Sequence, residues 1–205
     1  MTGHFDERAA TWDDDPAKVE RGQRVAAAIA DAVPLDHETR VLEYGAGTGL
    51  VAQFLADRTG PITLAEPSPA MRGVATDKAT AGVLPANTRI WDLDLAAAPP
   101  PDEQFDLIAT SMVLHHIVDL DPVLRGFATL LAPGGHVAIV DLDEDDGSFH
   151  SHHPDFEGHD GFDHDELRDR LEAAGFTQIA FRPCGEVVKD DRRYSLFLAT
   201  ATRDL

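Results

Sequence analysis

Residues 41–50, VLEYGAGTGL, join a short apolar run to three glycines in alternation. Gly45, Gly47 and Gly49 have no side chains, so the backbone there can adopt left-handed angles and a ligand can approach its N–H groups closely. The apolar run before them is typical of a strand that is buried on both faces. Ligands of doubly wound sheets bind where such a strand turns into its helix. The stretch therefore predicts both a parallel sheet and its ligand site.

Strand-like and helix-like patterns alternate along most of the chain. Apolar runs of the β type lie at residues 40–44, 62–66, 88–92, 105–110 and 136–141. One of the helical patterns between them places four apolar residues on one face: Leu120, Leu124, Phe127 and Leu131. Two last runs, at 177–183 and 192–201, are separated only by CGEVVKDD and should pair antiparallel. The pattern predicts a three-layer, doubly wound α/β fold with a mostly parallel sheet.

Capping signals predict where two of the helices begin and end. Asp15 followed by Pro16 indicates the start of an N-terminal helix. Asp163 with Glu166 three residues later is a capping-box arrangement, and Gly175 is a typical terminator of the helix that follows.

Length and composition limit the class of protein. At 205 residues the chain fits a single domain, 1–205, and no run is long and apolar enough for a membrane span. The formal charge of -20 would repel nucleic-acid phosphates and anionic membranes, so neither is an expected partner. We expect a cytoplasmic monomer or homodimer whose lone cysteine, Cys184, is a buried or half-buried structural thiol.

The glycine motif differs from a dinucleotide fingerprint. That pattern needs glycine where Leu50 stands, and Glu43 would repel a pyrophosphate but attract an ammonium group. Glu66, at the end of the second strand run, is placed to accept hydrogen bonds from ribose hydroxyls. The residues therefore favour a nucleoside with a cationic amino-acid tail, and a dehydrogenase is the less favoured alternative.

Four motifs in this order resemble the class I S-adenosylmethionine-dependent methyltransferases, especially the quinone-biosynthesis-like branch. They are VLEYGAGTG, LAEPSPAM, FDLIATSMVLHHIVD and LLAPGGHVAIVD. The resemblance implies a Rossmann-like, seven-stranded sheet with an antiparallel last strand. It also implies methyl transfer to a small-molecule acceptor through an O, N, C or S nucleophile. A metal is not expected, because the histidine spacing matches no metal motif. Alternatives are a catalytically inactive protein that binds the cofactor, and a protein methyltransferase.

The resemblance assigns the cofactor to a defined set of residues. Glu43 and the loop backbone would hold the methionine moiety, Glu66 the ribose, and the Ser111 carbonyl the amino group. Asp92 with the Leu93 amide would bind the adenine edge, for which Asp94 is a rival. The full set is Trp12, Glu43, Tyr44, Gly45, Ala46, Gly47, Gly49, Glu66, Pro67, Met71, Asp92, Leu93 and Ser111.

An N-terminal lid, residues 1–35, is the expected cover of this cofactor site. Trp12 could offer its ring to the sulfonium cation. Alternatively, Phe5 and Trp12 anchor a helix on the core.

Histidines supply the candidates for catalysis. His115 and His116 follow the fourth strand run, where either could accept a substrate proton, although a packing role is the alternative. Residues 142–163 form an acidic, histidine-rich insertion near the substrate side. Its spacing fits no metal motif, so we expect substrate contacts or a solvated loop. The candidate ligands, should a metal bind, are His150, His152, His153 and His159.

Overall fold

The computed structural model describes residues 2–152 and 156–204, with backbone only for residues 2–4. Seven strands form one sheet in the order β3-β2-β1-β4-β5-β7-β6. They are β1 Val41–Tyr44, β2 Ile62–Ala65, β3 Arg89–Trp91, β4 Phe105–Ser111, β5 Leu131–Leu142, β6 Phe176–Lys189 and β7 Arg192–Arg203. The first five strands pair in parallel, whereas β7 runs antiparallel to β5 and β6. The predicted sheet, with its antiparallel last strand, is confirmed.

Helices cover both faces of the sheet. They are α1 Thr2–Arg8, α2 Pro16–Ala32, α3 Leu50–Leu55, α4 Pro69–Thr80, α5 Asp121–Leu130 and α6 His164–Ala173, with a 3₁₀ helix at Ala9–Asp14. Because strand side chains alternate, Val41 packs with α2, α3 and α4 on one face, while Leu42 packs with α5 and α6 on the other. The three-layer arrangement is therefore confirmed, with a core on each side of the sheet.

The helix boundaries follow the predicted capping residues. Asp15 caps α2 by accepting from the Ala17 amide at 3.0 Å. Asp163 caps α6 through the amides of Asp165 and Glu166, and Gly175 lies beyond its end with a φ of +94°. These side chains satisfy amides that have no partner within a helix.

Two sequence-based boundaries were wrong. Leu131 does not belong to the helical face, because α5 ends at Leu130 and Leu131 is extended and pairs with Phe105. Its side chain enters the same core as the helix face, which extends the apolar periodicity past the true end. The segment CGEVVKDD is mostly strand rather than a connection, since β6 continues to Lys189. Only Asp190 and Asp191, both with positive φ, form the turn to β7.

The composition led to two expectations, one about the single cysteine and one about membrane-spanning segments. Cys184 is 4% exposed, and burial raises the pKa of its thiol, as expected of a structural cysteine. Within residues 2–152 and 156–204, none of the helices has the length and apolar character that crossing a bilayer requires.

Candidate functional site

The glycine loop between β1 and α3 bends through three left-handed residues. Gly45, Gly47 and Gly49 have φ values of +65°, +55° and +76°. The Gly45 amide donates to the Ala65 carbonyl at 2.8 Å, which holds the loop to the end of β2. A Cβ atom on Gly45 would lie 2.4 Å from Val113, whereas one on Gly47 would meet only the Met71 sulfur at 4.0 Å. The backbone is therefore tightly packed at Gly45 and open to a ligand at Gly47.

Glu66 lies directly after β2 and faces this loop. Its carboxylate is 8% exposed and accepts hydrogen bonds from the amides of Gly47 and Ser68, each at 2.8 Å. Burial raises the pKa of Glu66, although these amides and Arg72 oppose the effect. Pro67 is half-buried beside it, and Met71 is buried in the first turn of α4. The predicted ribose and adenine residues thus lie on one side of the glycine loop.

Glu43 lies behind the loop and caps α3. Gly49, which precedes α3, has no side chain, and the Glu43 carboxylate accepts from the Ala52 amide at 2.8 Å instead. A negative charge at a helix N-terminus is favourable. The side chain is 4% exposed, and burial raises its pKa to about 7 despite the amide and the nearby Lys78. Both predicted carboxylates therefore flank the same loop.

The N-terminal segment lies across this site. Asp13 accepts from the Thr48 hydroxyl at 2.5 Å and forms an ion pair with Lys78 at 2.7 Å. Asp6 accepts from the Ser68 hydroxyl at 2.5 Å. Neither acid was among the predicted site residues. The sequence signal that could have identified them was their position in the predicted lid. Both acids belong to the segment before α2, whereas α2 itself packs into the core.

Trp12 lies within this segment against two neighbours. Its ring contacts Phe5 edge-on at 6.0 Å, and the Lys18 ammonium lies 4.2 Å from the ring centre. A protein cation therefore already occupies a position over this ring. The contact of Trp12 with a sulfonium cation stays a prediction.

The two candidate acids for the adenine edge have different surroundings. Asp92 is 71% exposed and pairs with Arg72 at 3.0 Å. Asp94 accepts from the Ala96 amide at 2.9 Å and lies 3.5 Å from the Tyr44 hydroxyl. Asp92 is thus the more accessible to a ligand, and its role stays a prediction.

The four remaining residues of the predicted set are buried or half-buried. The Tyr44 ring packs on Phe127, in the core opposite α3, and burial raises the pKa of its hydroxyl. Ala46 and Leu93 are both 7% exposed. Ser111 is the last residue of β4 and lies, as predicted, at the carboxyl edge of the sheet.

His115 and His116 lie in a 3₁₀ turn, Leu114–His116, that follows β4. His115 is 1% exposed, and its Nδ1 lies 2.5 Å from an Asp141 oxygen. Asp141 also accepts from the amides of Leu114 and Leu142, at 3.0 and 2.8 Å. Burial opposes ionisation of Asp141, but His115 and these amides hold its pKa below the usual value. Asp141 was not predicted as a site residue. The sequence feature that could have identified it is its position as the acid that ends the buried run HVAIVD.

The histidine-rich segment returns towards this pair. His150 is 6% exposed, stacks on Phe156 at 3.6 Å and lies 5.2 Å from the His115 ring. The His159 amide donates to the His115 carbonyl at 2.8 Å, so its backbone reaches the same place. His152 is 65% exposed and contacts Asp190 instead, while His153 lies outside the described residues. Of the three candidate ligands that the structure describes, His150 is the one whose ring joins the predicted pair.

Comparisons with known proteins show that the chain is similar to methyltransferases. A family model described as a methyltransferase domain matches residues 17–180. The chain is 41% identical over 91 residues to the uncharacterized methyltransferase YrrT of Bacillus subtilis, covering 44% of this chain and 40% of YrrT. It is 32% identical over 106 residues to the ubiquinone/menaquinone biosynthesis C-methyltransferase UbiE of Vibrio vulnificus, covering 50% and 41%. The matches thus span less than half the length of these two relatives.

A solved structure shares the fold. Phosphoethanolamine N-methyltransferase 2 of Haemonchus contortus, in complex with phosphomonomethylethanolamine and S-adenosylhomocysteine, superposes with a TM-score of 0.74 at 16% identity. The superposition covers 88% of this chain and 52% of that one.

Proposed function

Because this chain belongs to the class I S-adenosylmethionine-dependent methyltransferases, we propose that it transfers a methyl group from this cofactor to a small-molecule acceptor. The observation that carries the proposal is the Glu66 carboxylate, buried beside the open Gly47 backbone of a left-handed glycine loop. A carboxylate at this place suits the hydroxyls of a ribose, and the second buried carboxylate, Glu43, disfavours a pyrophosphate.

The residues present fit the cofactor. Gly47 has open space where a Cβ would stand, so an amino-acid moiety can lie against the loop backbone. In this proposal Glu66 accepts from the ribose hydroxyls, Glu43 attracts the ammonium group and the Ser111 carbonyl accepts from it. Pro67 and Met71 cover one face of the adenine. When bound, S-adenosylmethionine supplies the electrophilic methyl group, and the protein supplies orientation.

His115 is the residue best placed to activate the acceptor. Asp141 contacts Nδ1, so in the neutral ring Nδ1 carries the proton and Nε2 keeps a lone pair for a substrate proton. As in hydrolytic triads, a buried carboxylate orients a histidine that acts as the base. The His116 ring lies 4.0 Å from His115 and against Phe5 of the N-terminal segment, which makes it the second candidate.

No single relative defines which atom of the acceptor is methylated, so we argue the acceptor class from charge and reactivity. UbiE is named for methylation of carbon and the Haemonchus enzyme for methylation of nitrogen, so the attacked atom varies among proteins with this fold. The net charge of -20 favours neutral or cationic acceptors over anionic ones. A panel of phenols, quinols, thiols and amines therefore covers the expected chemistry.

Titration and a transfer assay test the proposal. S-adenosylhomocysteine should bind in calorimetry while NADH does not, and the purified protein should transfer labelled methyl groups to members of the panel. Tight binding of NADH without binding of S-adenosylhomocysteine would overturn the proposal. Binding of S-adenosylhomocysteine without transfer to any acceptor, peptides included, would instead indicate a protein that binds the cofactor but catalyses nothing.

A further inference from the structure

Three histidine side chains converge at the carboxyl edge of the sheet. His115 and His116 come from the turn after β4, and His150 comes from the segment after β5. Each offers one ring nitrogen such that these three atoms all lie within 4.8 Å of one another. Among the residues that the structure describes, this is the one group of three or more potential ligands at such spacing. The sequence spacing gave no metal motif because the fold, not local sequence, brings His150 to the pair.

Two of these three rings each have an aspartate next to Nδ1. Asp141, itself fully buried, contacts Nδ1 of His115 at 2.5 Å. Asp160 lies 3.8 Å from Nδ1 of His150, which is close enough for an ion pair but beyond hydrogen-bond distance. A histidine that binds a metal usually donates its other ring N–H to a carboxylate or carbonyl, which fixes the ring and raises its basicity. The Asp141 contact leaves Nε2 of His115 as the ligand atom.

Neighbouring residues pack against the His150 ring and against the backbone of His115. His150 stacks on Phe156, and the His159 amide donates to the His115 carbonyl. A Cβ on Gly158 would lie 2.1 Å from that carbonyl, so the segment can pack this closely only with glycine there. This packing holds the segment that carries His150 close to the turn that carries His115 and His116.

We propose that His115, His116 and His150 bind a zinc ion with an open fourth position. Three imidazoles with one open position are the ligand set of catalytic zinc sites, and borderline-soft Zn²⁺ suits nitrogen ligands. Zn–N bonds of about 2.0–2.1 Å in a tetrahedron separate ligand nitrogens by roughly 3.3 Å. The three nitrogens lie within 4.8 Å of one another, so any pair that is farther apart than this tetrahedral spacing must move closer when the ion binds.

One consequence rests on the proposed function of this site. With the ion bound, Nε2 of His115 would be a ligand instead of the base, and the cation would lower the pKa of an acceptor hydroxyl or thiol on the fourth position so that it loses its proton. The proton would leave to solvent, and the oxygen or sulfur would keep the electron pair that attacks the methyl group, while the bond from the methyl group to the cofactor sulfur breaks and releases S-adenosylhomocysteine. Zinc binding itself does not depend on this step.

Metal titration of the intact protein tests the site. Protein stripped with a chelator is titrated with Zn²⁺ against a chromophoric zinc indicator, and Co²⁺ absorption reports tetrahedral coordination. Wild type should bind a single ion per chain. Asp141→Asn should weaken binding about 10- to 100-fold, and loss of a ligand in His116→Ala or His150→Ala should weaken it more. His152→Ala, an exposed histidine outside the cluster, is the matched control and should bind as wild type does.

The outcomes separate this proposal from methyl transfer. Failure of the folded wild type to bind zinc, or an equal loss of affinity in His152→Ala, would overturn the site. Circular dichroism identifies a variant that does not fold, and His116, which is half-buried, is the less disruptive of the two ligand replacements. The stripped protein should still bind S-adenosylhomocysteine. Loss of that binding in every sample would count against the proposed function and leave the zinc result standing.

Discussion

The Glu66 carboxylate and the Gly47 amide lie 2.8 Å apart, so the end of β2 holds the loop that follows β1. The second oxygen of Glu66 accepts from Ser68 at the start of α4. One buried side chain thus fixes the positions of two ligand-facing segments. A change at Glu66 should act on cofactor binding before it acts on any later step.

Replacing Glu66 with alanine should weaken binding of S-adenosylhomocysteine. Hydrogen bonds to charged groups contribute about 1.5–3 kcal/mol, so the expected loss is about 10- to 100-fold in affinity, measured by calorimetry. Glu103→Ala is the control, because Glu103 pairs with Arg89 near the surface. Equal affinities of the Glu66 variant and wild type would contradict the ribose role.

Cofactor affinity should rise with pH because of Glu43. Its pKa is raised to about 7 by burial, and an ammonium ligand binds the ionised carboxylate better than the protonated one. Affinity for S-adenosylhomocysteine should therefore fall by up to about tenfold per pH unit below 7, with proton release on binding. Calorimetry in buffers of different ionisation enthalpy measures both. Glu43→Gln should bind more weakly above pH 7 and lose the proton release, and a pH dependence that persists in it would point to another group.

The same residue should make stability depend on pH. Between the unfolded value of 4.5 and about 7, the folded protein holds a proton on Glu43 that the unfolded chain has lost. Stability therefore falls as pH rises through this window. Glu43→Gln should exceed wild type in free energy of unfolding by about 1–3 kcal/mol above pH 7, with less difference near pH 5. Urea denaturation at several pH values gives these energies, and a constant difference would contradict the assignment.

Two histidine–aspartate pairs should differ in their contribution to folding. His115 and Asp141 are each 1% exposed, whereas His164 and Asp143 are 42% and 37% exposed. Asp141→Ala should cost about 3–5 kcal/mol, because it removes the acceptor of buried amides and a ring nitrogen. Asp143→Ala should cost less than about 1 kcal/mol. Thermal or urea unfolding of both variants compares them, and similar losses would mean that burial is not the cause.

Two glycine replacements should act in opposite directions. Gly45→Ala places a methyl group 2.4 Å from Val113 on a left-handed residue, so it should destabilise the fold by about 2–4 kcal/mol. Gly73 lies in α4 with nothing within 4 Å of the place where a Cβ would stand, and Gly73→Ala should stabilise by about 0.5–1 kcal/mol. Melting temperatures of both variants test the pair. A neutral Gly45→Ala would show that Val113 can move aside.

The sequence was sufficient for the fold because its signals are local and agree with one another. Apolar runs marked every strand, and Asp15, Asp163 and Gly175 marked helix ends. The errors arose where local patterns are ambiguous. Leu131 continues a helical period into an extended residue, and CGEVVKDD, in which Cys184 is the one buried residue, has too few apolar residues to be identified as strand.

The site was less predictable, because its side chains meet through the topology. The carboxylates at Glu43 and Glu66 precede or follow motif glycines, so their place at the loop could be read from the sequence. Asp141 meets His115 only because β4 and β5 are neighbours in the sheet. The contact of Asp13 with Thr48 likewise depends on how the N-terminal segment lies on the loop.

Cys184 has a practical consequence for observing the N-terminal segment. It is the one cysteine of the sequence, it is 4% exposed, and burial keeps its thiol protonated and slow to react. A cysteine introduced at Glu7, an exposed residue of α1, would therefore take a fluorophore or spin label selectively in the otherwise unmodified chain. Such a label reports directly whether residues 2–14 swing away from Thr48 and return when the cofactor enters.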